Sequence, residues 1–190
     1  MFRTLILSAP LVVAATFAQA VDAPPAMRAF VESNIMSWAG SAQVIDAVNA
    51  QNTQTSGASE AQILEWDKAW RAQVGQTHQP LIGEVMGRDL SMFLSEQVAA
   101  SSGRITEIFV MDALGLNVAA SDVTSDYWQG DEAKYTKTYG EGAGAVFVDA
   151  IEFDESAQSY QGQISISLTD PATGEVVGAM TIGLNAEAFF

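Results

Sequence analysis

Between Asp122 and Tyr139 the sequence crowds Tyr127, Trp128, Asp131, Glu132, Lys134, Tyr135 and Tyr139 into one short stretch. Aromatic rings beside a few charges suit a small polar organic ligand, because rings exclude water and fixed charges set orientation. Tyr127 and Trp128 are therefore candidate walls, and Asp131 and Lys134 candidate polar anchors. The same rings also serve to tie a loop into a core. Two further carboxylates stand in apolar surroundings: Asp112 closes the run Ile108-Phe109-Val110-Met111, and Asp149 interrupts Val146-Phe147-Val148 and Ala150-Ile151. A carboxylate inside a strand costs free energy unless it is hydrogen-bonded or exposed. Either could hold an amine or hydroxyl of a ligand. Asp112 reads first as a turn cap, and Asp149 as the better ligand candidate or a residue of a solvent face.

Other chemistries lack their groups. The chain has no cysteine and one histidine, His78, in a polar connector, so there is neither a zinc cluster nor a Ser-His-Asp set. The acids Asp122, Asp126, Asp131 and Glu132 do not follow the spacing of a calcium-binding EF-hand loop. With no nucleophile and base, metal cluster or phosphate loop, the expectation is a protein that is not an enzyme and uses no cofactor and no metal. A formal net charge of −15 repels nucleic acid and anionic lipid alike.

Compartment follows from the first residues. Met1-Phe2-Arg3, an apolar run from Leu5 to Phe17 and Ala18-Gln19-Ala20 read as a secretory signal peptide at 1–20, cut after Ala20. Pro10 interrupts the run, which falls short of the roughly 20 residues that span a bilayer. The mature chain, 21–190, is expected to be periplasmic, without membrane insertion and without disulfides, and of one domain's length.

The candidate residues need elements to carry them. Met27, Phe30, Val31, Ile35, Trp38, Ala42, Ile45 and Val48 recur every three or four residues, which predicts one long amphipathic helix from Pro24 to about Asn49. Gln51 to Gly57 reads as a polar break. Ser59 and Gln62 form a capping box for a second helix facing inward through Ile63, Trp66, Trp70 and Val74. A third helix starts at Pro80 and ends before Ser101-Ser102-Gly103. The helical part is thus 24–102, and the sheet part 105–185. Strands are predicted at 106–112, 117–121, 145–154, 160–169 and 176–184, with turns at Gly115 and at Asp170-Pro171-Ala172-Thr173-Gly174. Short connections imply antiparallel pairing. The fold class is α+β: a five-stranded antiparallel sheet with the long helix on one face and the 122–141 insertion over the other.

The runs Phe109-Val110-Met111-Asp112-Ala113-Leu114-Gly115-Leu116-Asn117-Val118 and Thr124-Ser125-Asp126-Tyr127-Trp128-Gln129-Gly130-Asp131-Glu132-Ala133-Lys134, with the closing Ile164 to Met180 hairpin, resemble a single Cache domain, an extracellular PAS-like sensor. The resemblance implies a sensor that binds a small organic molecule between sheet and insertion; an amine, an amino acid or a carboxylate are the candidates, the surplus of acids suiting an amine. Amino-acid-binding members carry an Arg just before their Trp-Tyr pair, where this chain has Asp126; Lys134 and Lys137 could hold a carboxylate instead. The chain ends at Phe190 without a membrane helix or output domain. It is therefore expected to work as a stand-alone form, presenting its ligand or a change of shape to a membrane receptor or histidine kinase. The alternative is a PAS-like shell without a working pocket, which forms a homodimer or docks through the Met27, Phe30, Trp38 and Ile45 stripe.

Overall fold

The computed structural model describes residues 25–154 and 159–189; the expected leader at 1–20 lies outside them. The apolar stripe that begins at Met27 folds as helix but not as one rod: it is α1 (Pro25–Asn34), α2 (Met36–Ala39) and α3 (Ala42–Thr55). The main break falls at Gly40-Ser41, where Ser41 is extended with ψ 156°, and both residue types are poor helix formers. The break shifts the helical phase: Met27, Val31, Ile35, Ile45 and Val48 of the stripe enter one core together with Ala39 and Val44, whereas Ala42, expected to face inward, is exposed.

Helix α4 (Glu60–Gln73) starts at the expected capping box, with the Ser59 amide donating to Gln62 Oε1 and the Gln62 amide to Ser59 Oγ. The third predicted helix is also divided, into α5 (Pro80–Met86) and α6 (Asp89–Ala100). Arg88 holds the break in an extended conformation, φ −72° and ψ 146°. A residue in that conformation leaves the helical course, and its side chain leaves the helix face.

The strands are β1 (Ile105–Met111), β2 (Asn117–Ala120), β3 (Val146–Val148), β4 (Glu152–Asp154), β5 (Ser159–Thr169) and β6 (Val176–Asn185). They form one antiparallel sheet in the order β2-β1-β6-β5-β3, with β4 also on β5. The sheet has six strands rather than five, because the predicted 145–154 strand is interrupted between Val148 and Glu152. Alternation then sorts the faces. Ile108, Val110, Ile164, Ile166, Leu168, Met180, Ile182 and Leu184 meet the helices. Phe109, Met111 and Ala179 meet Tyr135 of the insertion, which carries a short helix α7 (Ala133–Thr136). At Gly178 a Cβ would stand 2.2 Å from the Met111 carbonyl oxygen, so β6 reaches β1 here only as glycine.

Candidate functional site

Asp112 stands immediately after strand β1 and is 0% exposed. Its Oδ1 accepts the amides of Leu114 and Leu116 at 2.8 and 2.9 Å, which closes the β1–β2 turn. Its Oδ2 accepts Gln51 Nε2 at 3.1 Å and Thr55 Oγ1 at 3.0 Å, which ties that turn to α3. Four donors thus compensate the buried charge.

Gln51 carries the line outward. Its amide nitrogen faces Asp112 and also the carbonyls of Leu116 and Asn117, both at 3.3 Å. Three acceptors on one end of the amide fix its orientation and leave Oε1 pointing away, where it accepts Arg88 Nη1. The same Nη1 donates to the Val118 carbonyl at 2.8 Å, and Arg88 Nη2 meets Glu84 Oε1 at 3.0 Å. Polar contacts therefore run without interruption from the β1–β2 turn to the surface.

They emerge in a groove between α3 and the α5–α6 break. Two adjoining cavities of about 570 and 200 Å³ share Gln51, Gln54, Glu84 and Arg88. The smaller is walled by Trp66, Leu81 and Tyr127. Among the described residues, Arg88 is the one cation lining either cavity. The size, the aromatic wall and the few convergent polar groups suit a small organic molecule. Burial pushes the Tyr127 phenol up to about 12, with Arg88 opposing and Asp112 and Glu84 reinforcing. Among the described residues no cluster of three His, Cys, Asp or Glu could hold a metal ion.

Tyr127 and Trp128 reach this region because the first half of the insertion packs on α4. Asp67 accepts both of their backbone amides, at 2.9 and 3.1 Å, and is held by Arg71 at 2.8 Å. Tyr127 stacks on Trp70 with ring centroids 5.3 Å apart. Trp128 donates its indole N–H to the Leu114 carbonyl at 2.8 Å. A Cβ on Gly130 would meet that indole nitrogen at 2.3 Å, and one on Gly115, at φ +80°, would meet Gly130 Cα at 2.5 Å. Trp128 is thus strapped against the β1–β2 turn as an anchor, while Tyr127 is both anchor and groove wall.

The second half of the insertion turns onto the sheet. Lys134 Nζ lies 3.1 Å from Glu132 and 5.3 Å from the centre of the Phe109 ring. Tyr135 donates to the Ala113 carbonyl at 2.7 Å and stacks on Tyr139, and burial raises its hydroxyl well above the usual range. Asp131 is exposed at the corner between the halves. Asp149 sits in the β3–β4 interruption, where its carboxylate accepts the Ala150 amide at 2.8 Å. It lines a separate cleft of about 300 Å³ with Glu107, Glu152, Gln161 and Gln163. The structure therefore places Tyr127 on the groove, connects the buried Asp112 to it through Gln51, and leaves Trp128, Asp131, Lys134 and Asp149 off its lining. Sequence reasoning did not name Glu84 or Arg88, read Gln51 as the start of a polar break, and read Trp66 as a core residue of the second helix rather than a groove wall. The signal for Arg88 was the Gly87-Arg88 pair inside an apolar helical pattern.

No protein-family model matches the chain, and no curated protein matches it. Among solved structures it is similar to the sensor domain of the V. cholerae histidine kinase DctB, at 10% identity and TM-score 0.46, over 86% of this chain and 53% of that one. It is similar to the Campylobacter jejuni chemoreceptor Tlp3 sensory domain with isoleucine bound, at 11% identity and TM-score 0.40, over 87% and 65%. A third is the ligand-binding domain of the Pseudomonas aeruginosa amino-acid chemoreceptor PctC with GABA, at 11% identity and TM-score 0.41, over 83% and 63%. The chain spans from about half to just under two thirds of the length of these structures. These neighbours are a sensor domain of a histidine kinase and the sensory and ligand-binding domains of two chemoreceptors.

Proposed function

We propose that this chain is an exported sensor module that binds a small polar organic molecule in the α3–α5 groove, without turning it over. In this reading the 1–20 leader is removed, and the ligand, or the shape change it causes, is presented to a membrane receptor or histidine kinase. The observation that carries the reading is the Asp112–Gln51–Arg88 line. A partly buried guanidinium whose plane is fixed from below and whose outer corner faces a groove is preorganised for binding. Among the described residues no helix is long and apolar enough to cross a membrane. The apolar stripe that could have served docking is used internally: Met27 and Ile45 are buried, Phe30 packs on Phe189, and Trp38 packs on Phe93.

The test is a thermal-shift screen of the mature chain with carboxylates, amino acids and amines, repeated on Arg88→Lys and Tyr127→Phe. Saturation at about 100 times the dissociation constant adds ~2.7 kcal/mol. The expected result is a shift that weakens in both variants. A full shift in both would move the site away from the groove.

A further inference from the structure

We infer that Glu84 is an internal substitute for a ligand carboxylate, so that the groove selects small monocarboxylates with a short apolar body. This rests on the binding role proposed for the groove and names its ligand class. The argument starts from the two ends of the guanidinium. Nη1 is committed to Gln51 and to the Val118 carbonyl, and neither partner is free to leave, since Gln51 is itself held by Asp112. Among the described residues Nη2 meets a single side chain, Glu84, four residues earlier and 66% exposed, against 27% for Arg88. Glu84 can swing into water and be rehydrated at little cost, because an exposed pair of this kind is worth at most roughly fivefold in an equilibrium constant. Arg88 cannot follow it without breaking the contacts beneath. The corner that Glu84 vacates accepts a planar carboxylate and rejects a cation. Asp89, the other charged side chain on this lining, is exposed and adds to the penalty for a second negative group on the ligand. The apolar part of the ligand then lies toward Trp66, Leu81 and Tyr127.

Butyrate, butyramide and butylamine share one body and differ in the head group, so they separate the alternatives. Binding is read by thermal shift and by titration calorimetry on the full chain, with Glu84→Gln and Arg88→Lys. Butyrate alone is expected to bind. Glu84→Gln, a change at an exposed position, should tighten it by up to roughly fivefold, and Arg88→Lys should weaken it about tenfold or more through loss of the planar fork. Unliganded melting and circular dichroism of each variant separate lost binding from lost folding. Equal binding of butyramide, preference for butylamine, or butyrate affinity unmoved by Glu84→Gln would overturn the inference. So would no butyrate binding to Glu84→Gln at tens of millimolar. If the wider screen still yields a compound whose shift weakens in Arg88→Lys, the groove reading stands without this one; if it yields none, both fall.

Discussion

Asp112 and Asp149 both follow apolar strand residues, yet four donors from two segments converge on the Asp112 carboxylate, whereas the Asp149 carboxylate takes the amide of the next residue. Around Asp112, α3, α4, the β1–β2 turn and the insertion meet. Around Asp149 the strand parts, and its neighbours Val146, Phe153 and Tyr160 remain about half exposed. The Asp112 carboxylate ties together residues far apart in the chain, whereas the Asp149 carboxylate caps its own turn and it is the Asp149 backbone amide that reaches β5, at the Gln163 carbonyl 2.9 Å away. A polar group enclosed by distant segments transmits strain to all of them; one at a sheet edge transmits it to little else.

That contrast can be broken by experiment. Asp112→Ala, which strands the Gln51, Thr55, Leu114 and Leu116 donors in the interior, should cost about 3–5 kcal/mol in urea unfolding; a loss below about 1 kcal/mol would mean that the turn holds without its carboxylate. Trp128→Ala removes a strap of the same turn and should cost about 3 kcal/mol without ligand, while the ligand-induced shift survives. A Trp128 variant that melts normally but no longer responds to ligand would place the indole on the ligand after all.

Alkaline titration probes the same region through Tyr127. Its phenol is neutral in the fold up to about 12 and titrates in the unfolded chain at its ordinary value of 10.0. The unfolded state then binds fewer protons, so the stabilisation is whole below pH 10 and is lost as pH rises toward 12. Tyr127 should contribute a loss of about 2 kcal/mol, which Tyr127→Phe removes, leaving the part of the slope that Tyr135 contributes by the same burial. A wild-type profile flat from pH 10 to 12 would contradict burial of the hydroxyl. Smallest of all, Asp149→Ala should stay within about 0.5 kcal/mol, and a cost comparable with that of Asp112→Ala would erase the distinction between the two regions.

The parts legible in sequence are those whose partners lie a few residues away. The Ser59 and Gln62 box closes over three residues, and the Asp170 turn over four, with the Gly174 amide on the Asp170 carbonyl at 2.8 Å. The alternation along β5 likewise needed no distant information. The groove was hidden for the converse reason. Gln51 looks like the start of a polar break, but it is a buried residue of α3 whose partner Asp112 stands 61 positions on. Hydrophobic periodicity also runs through Gly40-Ser41 and Gly87-Arg88, because enough apolar residues lie on either side for a bent helix to bury a stripe of nearly the same composition, with Val44 inward in place of Ala42. Asp149 was visible as an anomaly, but not as the place where a strand divides.

The Gln51 amide sets a limit on how this protein can change over generations. Position 51 must offer donors inward to a carboxylate and an acceptor outward to a guanidinium. Glutamate there would set one anion against another, and leucine would leave two opposite charges unbridged. Asparagine has the right atoms one methylene short. Descendants that keep Asp112 and Arg88 should therefore keep glutamine between them, even as the residues that touch the ligand diverge; descendants that lose it should lose both charges together.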